Sequence, residues 1–294
     1  MKNIEEFASN IEILKKHEFP NFNLTLLKFK QDINQNYILF ETAYQKDLCR
    51  VKELGPRGSV TQVIFLNNSD DFIFVSEGTC LVGAKQNRTF AKSFIAAPKT
   101  SIEVPVNCIE RGRWENTRDL SFQPADYETP RFLRKTKIDR LRTSSVENIQ
   151  DEIWEEVHKF SQESKTFSAS EDLGEILKKS SNKVINHRDI KIDLEGANGF
   201  FLSSDEGSDI EIFGSSHLCE FYIEKLLNSE HRRLNVHFSN NTVKSAKSAI
   251  SNLLKLTWEE HPSIGCETSY LTGDRDPGHS ITHNNSLIHA VVYF

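Results

Sequence analysis

The feature that most constrains the fold is a series of short apolar segments, separated by turn-forming residues, between Val60 and Ile109. Each segment is shorter than an ordinary helix, and Asn, Ser, Asp, Gly or Pro residues stand between the segments. The turn cluster Asn67–Asp71, for example, directly follows the apolar segment Val60–Leu66. This pattern predicts consecutive β-strands, so residues 1–117 are expected to be mainly β-structure.

Outside this series the sequence predicts a mixture of helices, strands and polar loops. Apolar residues at helical spacing predict an amphipathic helix over residues 1–18 and a brief helix over Thr42–Glu53. Ser144–Glu147 has the form of a capping box and predicts a helix that runs to about Ser161. Later segments predict strands at Asp189–Leu194, Gly199–Ser203, Ser208–Phe213, Ile264–Leu271 and Ser286–Phe294, with polar loops between Pro124 and Pro130 and over Gly273–Asn285.

These elements indicate an α+β protein, with a β-rich N-terminal half packed against an α/β-textured C-terminal half in one compact unit. We expect a β-rich half at 1–117, a basic connecting segment at 118–143 and an α+β half at 144–294. The connecting segment contains RFLRKTKIDRLR, at residues 131–142, with six basic residues and one Asp. This charge run is typical of a solvated helix face or linker, and it could also form a basic rim for phosphate groups.

Composition excludes several classes of protein. The 294 residues are 37% hydrophobic and 27% charged, which excludes wholesale disorder. A formal net charge of -6 argues against a general nucleic-acid-binding protein. The five cysteines form no CxxC pair, so a structural zinc site and thioredoxin-like redox chemistry are not expected. The sequence shows no signal peptide and no membrane-spanning segment, so we expect a reduced cytoplasmic protein that is not bound to a membrane.

A polar segment with glycines, EGTCLVGAKQNR, follows the predicted strand Phe72–Val75. Its lysine and arginine could hold a phosphate or a carboxylate, and its amide side chains could bind a sugar or a base edge. A glycine would let the backbone approach such a ligand closely. The same residues could instead hold a wide loop through hydrogen bonds to the backbone. The candidate ligand-binding residues are Gly83, Lys85, Gln86, Asn87 and Arg88, and Glu77 is a candidate for proton transfer.

A second polar cluster, Cys108–Trp114, ends the next predicted strand. Glu110 and Arg113 could form an ion pair that holds the loop, or both could contact a ligand. Cys108 would act as a nucleophile only with a base and a lowered pKa, and a buried, inert thiol is the alternative. Cys108, Arg113 and Trp114 are therefore candidate ligand-binding residues, and Glu110 is a second candidate for proton transfer.

Three histidines near the C-terminus could carry chemistry. His279 and His283 have the spacing of helical metal ligands, but they lie in a predicted loop, so no metal site is expected. His289 lies in the terminal strand LIHAVVYF, where it is either a satisfied core histidine or a general base. A general base would need a carboxylate partner, which Glu211 or Glu267 could supply.

The two motifs together resemble one family. EGTCLVGAKQNR and VPVNCIERGRW resemble the ADP-ribosylglycohydrolase and rhodanese-phosphatase-superfamily-associated protein domain. The later segments GANGFFLSSDEGSDIEIFGSSHLCEFYIEKLL and LIHAVVYF also resemble it, so the resemblance covers about Leu24 to Phe294. The sequence departs from the pattern at Thr79 and Cys80, so an acid-dependent role in the first motif depends on Glu77 alone. The resemblance implies that the polar signature residues are Glu77, Gly83, Lys85, Gln86, Asn87, Arg88, Cys108, Glu110, Gly112, Arg113 and Trp114.

The resemblance implies binding or processing of an ADP-ribose-type or NAD-derived nucleotide in a cleft lined by Glu77–Arg88 and Cys108–Trp114. An enzyme of this kind would be a hydrolase or transferase, with Glu77, Glu110 or His289 in proton transfer. Two alternatives remain open: capture of a nucleotide without turnover, and a structural or protein-interaction module with no small-molecule ligand. No cofactor motif is present, and the sequence leaves the oligomeric state open.

Overall fold

The computed structural model describes residues 10–19, 22–31, 35–114, 119–143, 149–181, 192–204, 207–230, 245–273 and 275–294. Seventeen β-strands and six α-helices lie within these ranges. The strands form a closed barrel, a three-stranded sheet and an eight-stranded sheet.

Six strands of the N-terminal half close into the barrel. Side chains alternate between its interior and its outer face, so Cys49, Val51 and Glu53 of one strand are buried while the residues between them are exposed. Apolar side chains such as Phe65 and Phe90 pack in the same core cluster. In their order around the barrel the strands are β10 (Thr100–Cys108), β5 (Gln62–Asn67), β4 (Cys49–Glu53), β11 (Ser121–Glu128), β7 (Thr79–Gly83) and β8 (Arg88–Phe90).

A three-stranded sheet lies beside the barrel and shares its core. It consists of β3 (Tyr37–Leu39), β6 (Phe72–Val75) and β9 (Phe94–Ala96), with β3 parallel to β6. The predicted strand Thr89–Ala96 is therefore divided between two sheets. A helix of six residues, α1 (Phe40–Gln45), follows β3. The helix predicted over Thr42–Glu53 is wrong beyond this point, because the alternating residues of β4 belong to the barrel.

The eight-stranded sheet is antiparallel and combines both ends of the chain. Its strands follow the order β1-β2-β12-β13-β17-β16-β15-β14. β2 pairs with β12, so the N-terminal part of the chain supplies two strands of this sheet. Their bounds are β1 (Glu12–Glu18), β2 (Phe22–Lys28), β12 (Gly199–Ser204), β13 (Gly207–Phe213), β14 (Trp258–His261), β15 (Thr268–Thr272), β16 (Gly278–His283) and β17 (Ser286–Tyr293).

Five further helices pack around the barrel and the eight-stranded sheet. They are α2 (Arg131–Leu141), α3 (Gln150–Glu163), α4 (Leu173–Ser181), α5 (Ser216–Glu230) and α6 (Ala246–Leu253). The apolar face predicted for α3 is confirmed, since Ile153, Val157 and Phe160 are buried. α6 packs against β13 on the face that carries Ile210 and Ile212. The opposite face of β13 presents Asp209 and Glu211 to the interior of the protein.

α2 is the basic segment of the sequence, and it is buried rather than solvated. Arg131, Arg134 and Lys137 are each 4% exposed or less. These basic side chains face carboxylates from the barrel side and from the large sheet. The carboxylates are far from α2 in the sequence. The prediction of a solvated linker at 131–142 is therefore wrong, because acidic partners and not water surround one face of this helix.

Three other predictions of local structure need correction. Residues 12–18 of the predicted N-terminal helix form β1, whereas residues 1–9 lie outside the described part of the chain. The polar segment that contains Pro124 forms β11, paired with β7 and β4. The predicted loop Gly273–Asn285 contains β16, whose pairing with β15 and β17 overrides its polar composition.

Two predicted features fall partly or wholly outside the described residues. The capping box Ser144–Glu147 is one of them, so it stays a prediction. The predicted strand Asp189–Leu194 is described from Ile192 onward, and that part is not a strand. Ile192 and Leu194 pack instead against the apolar core beneath the large sheet.

The predicted fold class is confirmed. The protein is α+β, with a barrel and sheets packed together with helices in one compact unit. The division of the chain at residues 118–143 stays a prediction. Of the strands that precede it, β2 pairs with the C-terminal strand β12, and β1 pairs with β2.

The buried position of α2 predicts unequal effects for two arginines of the same helix. Arg134→Met removes a guanidinium from between two buried carboxylates and should lower the free energy of unfolding by about 3–5 kcal/mol. Arg140→Met is the matched control, because Arg140 is 48% exposed at its side chain and pairs with an exposed Glu152. It should change the free energy of unfolding by less than about 1 kcal/mol. Urea denaturation followed by circular dichroism measures both, and equal effects would contradict the burial of α2.

Candidate functional site

Arg88 lies inside one end of the barrel. Its register partner is Cys108, whose Sγ accepts a hydrogen bond from the guanidinium. The carbonyl oxygens of Ser59 and Val60 also accept hydrogen bonds from Arg88, at 3.0 and 3.2 Å. Glu53 Oε1 lies 3.7 Å from Arg88 Nη2, and neither side chain of this ion pair is exposed. Arg88 therefore forms a buried structural ion pair.

Glu110 joins the second motif to the first. Arg113 Nε donates to both carboxylate oxygens of Glu110 at 2.9 Å. The backbone N–H of Asn87 and the hydroxyl of Ser170 also donate to Glu110, at 3.1 and 2.8 Å. Arg113 reaches onward to the carbonyl oxygen of Ala84 at 2.9 Å. The sequence left two readings of Glu110 and Arg113 open, and this geometry favours the ion pair that holds the loop.

Asn87 and Gly83 fix the turn between β7 and β8. Gly83 N–H donates to Asn87 Oδ1 at 3.1 Å, and Asn87 Nδ2 donates to Asp172 Oδ1 at 3.0 Å. Gly83 has φ +118°, and a Cβ at this position would lie 2.8 Å from the carbonyl oxygen of Ser121. Glycine is therefore required here by the backbone conformation and by the neighbouring strand.

Lys85 and Gln86 of the first motif contact residues of the second motif. Gln86 donates to the carbonyl oxygen of Arg111 at 3.3 Å and accepts from Arg88 at 3.1 Å. The Trp114 ring is 46% exposed and lies 5.4 Å from Arg88 Cζ and 5.8 Å from Lys85 Nζ. Of the predicted ligand-binding residues, Trp114 is exposed, Gly83 and Arg113 are half-buried, and Lys85, Gln86, Asn87, Arg88 and Cys108 are buried.

The Cys108 thiol has the environment of a structural cysteine. Burial raises its pKa to about 11, with a smaller opposing effect from Arg88 and a further increase from Glu53 and Glu110. Gln150, the first residue of α3, exchanges two hydrogen bonds with the Cys108 backbone at 2.8 and 2.9 Å. A nucleophilic thiol needs a lowered pKa, so the geometry favours the inert-thiol reading.

Glu77 lies in a second cluster, a buried ionic network between the barrel and the large sheet. Arg134 Nε donates to Glu77 Oε1 at 2.6 Å, and the two Nη atoms of Arg134 donate to the oxygens of Glu211 at 2.6 and 3.1 Å. Lys137 Nζ lies 3.4 Å from Glu77 Oε2. The Tyr293 hydroxyl donates to Glu77 Oε1 at 2.7 Å. The predicted acids therefore lie in separate places: Glu77 in this ionic network with Arg134, and Glu110 in the ion pair with Arg113.

His289 extends the ionic network along β17. Its Nε2 lies 2.8 Å from Glu211 Oε1, and its Nδ1 lies 3.0 Å from Ser93 Oγ. Glu211 is one of the two carboxylate partners that the sequence offered. Serine, histidine and carboxylate follow the order of a catalytic triad. Ser93 and His289 are fully buried and Glu211 is 2% exposed, so the arrangement is that of a satisfied core histidine.

The ionic network keeps Glu77 charged. Burial favours the neutral form of Glu77, but Arg134, Lys137 and the Tyr293 hydroxyl outweigh it and lower the pKa to about 2. Because the folded pKa is below the ordinary 4.5, this carboxylate stabilises the fold fully above pH 4.5. That contribution is lost as the pH falls through 2. A carboxylate held in this way is a poor proton donor or acceptor near neutral pH.

A third buried cluster links α5 to the barrel. Lys225 Nζ lies 2.6 Å from both Glu41 Oε1 and Glu128 Oε1. One ammonium group thus contacts two buried carboxyl groups. Burial raises the pKa of Glu128 to about 7, and Glu41 adds to the increase, whereas Lys225 opposes it. Glu128 therefore retains its proton well above the range of an ordinary glutamic acid.

A groove on the surface adjoins the second motif. It has a volume of about 660 Å³, which is within the usual range of ligand sites. Arg111 and Gly112 of the motif form one side, and the end of α3 with residues 165–171 forms the rest. Gly112 N–H donates to the Ser170 carbonyl oxygen at 2.8 Å, which joins the two sides. Phe167 is 76% exposed at this groove.

The groove contains a histidine oriented by a carboxylate. His158 Nδ1 lies 2.7 Å from Glu171 Oε1, and His158 Nε2 lies 2.8 Å from Gln162 Nε2. The side chains of Arg111 and His158 are 57% and 49% exposed, so both are accessible to a ligand. Arg111 also stacks on the Trp154 ring at 5.5 Å.

Sequence reasoning missed the residues of this groove. The sequence contained one indication of the groove, because Arg111 and Gly112 belong to the second motif. His158 and Gln162 stand four residues apart on the polar face of α3, but nothing in the sequence places Glu171 next to them. The missed residues with charged, aromatic or amide side chains are His158, Gln162, Lys165, Phe167 and Glu171.

The C-terminal histidines have ordinary partners. His279 lies in β16 with its Nε2 3.1 Å from Ser269 Oγ, and His283 Nδ1 lies 2.8 Å from the Tyr37 hydroxyl. Within the described ranges, no group of three or more His, Cys, Asp or Glu side chains is arranged to hold a metal ion. No helix in the described part of the chain is long and apolar enough to cross a membrane.

The Glu128 cluster predicts a measurable pH dependence. Because the folded pKa of about 7 is above the ordinary 4.5, the protonated group stabilises the fold fully below pH 4.5. This stabilisation is lost as the pH rises through 7. Glu128→Gln removes the titration, so the stability of the wild type relative to the variant should fall by on the order of 2 kcal/mol between pH 4.5 and 8.

Chemical denaturation at a series of pH values measures this difference. The matched control is Glu103→Gln, which changes an exposed glutamate on barrel strand β10. Its stability relative to the wild type should change little over the same range. A flat difference for Glu128→Gln would contradict the proposed proton on Glu128.

Comparison with known proteins places the chain in a family. The family model described as ARG and Rhodanese-Phosphatase-superfamily-associated Protein domain, ARPP-1, matches residues 10–293. No curated protein and no solved structure matches the chain. The expected resemblance is confirmed under this description, and the reading of ARG as ADP-ribosylglycohydrolase stays a prediction. Since the match spans nearly all of the 294 residues, the chain belongs to the ARG and Rhodanese-Phosphatase-superfamily-associated Protein domain family.

Proposed function

We propose that the protein binds a nucleotide-type small molecule of the ADP-ribose class in the groove beside α3. The observation that carries the proposal is the groove itself, which combines ligand-sized volume, two cationic side chains and one exposed aromatic ring. Arg111 and Lys165 suit the phosphate groups of such a ligand. Phe167 offers an accessible face on which a base can stack.

In this proposal the two motifs position the groove instead of touching the ligand. Gln86 donates to the backbone of Arg111, and Glu110 binds both Arg113 and Ser170. These contacts fix both sides of the groove relative to the barrel end. Both motifs are then needed for binding even though most of their residues are buried. A ligand site depends on the residues that hold its lining in position.

The family description supports the choice of ligand class. If ARG stands for ADP-ribosylglycohydrolase, relatives of this chain are associated with proteins that handle ADP-ribose. This context agrees with a groove that offers cations and an aromatic ring. The geometry of the groove supplies the remaining support.

Isothermal titration with ADP-ribose tests the proposal. Arg111→Ala should raise the Kd at least about tenfold, because it removes a charged contact to phosphate. Phe167→Ala should have a similar effect through the loss of base stacking. The matched controls are Arg50→Ala and Leu254→Ala, which change exposed residues outside the groove and should leave the Kd within about twofold.

Two results would contradict nucleotide binding in the groove. One is the absence of binding heat with both ADP-ribose and NAD. The other is binding that survives Arg111→Ala and Phe167→Ala unchanged, which would locate the ligand elsewhere on the protein.

A second candidate function, a structural or protein-interaction module, is favoured by the internal pairing of both motifs. Arg88, Glu110 and Glu77 all bind other residues of the chain, and each is 4% exposed or less. This function predicts that Arg88→Met lowers the melting temperature and that ADP-ribose leaves the wild-type melting temperature unchanged. Stabilisation of the wild type by ADP-ribose would exclude it as the sole function.

A further inference from the structure

We propose that the groove hydrolyses a phosphoanhydride bond of its nucleotide ligand, with His158 as the general base and Glu171 as its positioning residue. The inference rests on the proposed function, since the reaction requires that the ligand binds in the groove. It assigns catalysis to residues outside both sequence motifs.

The contacts of His158 match one tautomer of the neutral ring. An ionised carboxylate only accepts hydrogen bonds, so the contact to Glu171 Oε1 at 2.7 Å requires a proton on His158 Nδ1. In a neutral ring with its proton on Nδ1, His158 Nε2 has a lone pair, which can accept from the Gln162 amide nitrogen 2.8 Å away. A neutral histidine with its Nδ1–H on a carboxylate and a lone pair on Nε2 is the form required of a general base.

The Nε2 atom is accessible from the groove. His158 and Gln162 both line it, and the His158 side chain is 49% exposed. A water molecule or a ligand hydroxyl can take the place of the Gln162 amide at Nε2. The buried His289, by contrast, has both of its nitrogens bound inside the protein.

Glu171 is held in place by its backbone and by Arg111. Its φ of +51° is unusual for a residue other than glycine, and its N–H donates to the Ser168 carbonyl oxygen at 3.3 Å. Arg111 Nη1 lies 3.8 Å from Glu171 Oε2. An energetically unfavourable backbone conformation next to a ligand-sized groove is a common feature of functional sites.

The charges of the groove favour phosphoanhydride hydrolysis over cleavage of a glycosidic bond. Glycosidic hydrolysis usually needs two carboxyl groups on either side of the bond. Glu171 is the one carboxylate among the described residues that line the groove, and it is bound to His158. Arg111 and Lys165 can instead neutralise the charge that develops on the transferred phosphoryl group.

The reaction balances with water as the second reactant. A water oxygen forms a bond to one phosphorus while the bond from that phosphorus to the bridging oxygen breaks. One proton of the water passes to His158 Nε2 and then to solvent, and Glu171 stabilises the imidazolium in the meantime. The leaving group departs as a phosphate monoester, which is an anion at neutral pH and needs no proton to leave.

Incubation of the full-length protein with ADP-ribose and with NAD, followed by chromatography, tests this inference. Phosphoanhydride hydrolysis gives AMP and ribose 5-phosphate from ADP-ribose, and AMP and nicotinamide mononucleotide from NAD. His158→Gln should lower kcat at least about 100-fold, because it removes the base. The Kd from titration should stay within about threefold, because Gln can still bind by hydrogen bonds.

Glu171→Gln should lower kcat about tenfold or more, since it affects the orientation of the base. KM should change little, because the side-chain oxygen of the introduced glutamine can still accept hydrogen bonds from His158 and Arg111. The control His217→Gln changes an exposed histidine on α5 and should leave kcat and Kd unchanged. Binding without AMP formation would overturn the hydrolysis and leave the proposed function intact. Free nicotinamide as the product from NAD would also overturn the phosphoanhydride hydrolysis. Full activity in His158→Gln would overturn the assignment of His158 as the general base. Absence of binding would overturn both proposals.

Discussion

The structure depends on the buried contacts of Arg134 with Glu77 and Glu211. Glu77 follows a strand of the small sheet, Glu211 lies in the centre of the large sheet, and Arg134 lies on the helix between them. A buried charge without a partner is costly, so the three groups must stay together in the folded state. This constraint fixes the position of α2 and, through it, the packing of the barrel on the eight-stranded sheet.

Most residues of the two sequence motifs bind other parts of the chain. Arg88 and Glu53 fill the barrel end, while Glu110, Arg113 and Asn87 bind the segment that follows β10 to the segment before α4. What they leave exposed is the groove next to them. In the proposed function, these signature residues position a ligand site without contacting the ligand, and the proposed chemistry depends on the neighbouring His158.

The sequence predicted the features that depend on local patterns. The barrel strands β5, β7, β8 and β10, the apolar face of α3 and the pairing of His289 with a carboxylate follow from residue spacing or from a short list of partners, whereas the barrel strands β4 and β11 were predicted as a helix and a loop. The burial of α2 could not be predicted, because its acidic partners come from segments far away in the chain. β16 and β1 were missed for a similar reason, since strand pairing overrides the local polarity. The groove was missed because it combines a motif edge, a helix face and a turn.

A double-mutant cycle between Glu77 and Arg134 tests the central claim most directly. The free energy of unfolding would be measured for the wild type, Glu77→Gln, Arg134→Met and the double variant. We expect an interaction energy of about 2 kcal/mol or more, because each single variant removes one of the opposite charges that a buried group contacts. Additive effects, within about 0.5 kcal/mol, would contradict the role of this ion pair in joining the barrel to the sheet.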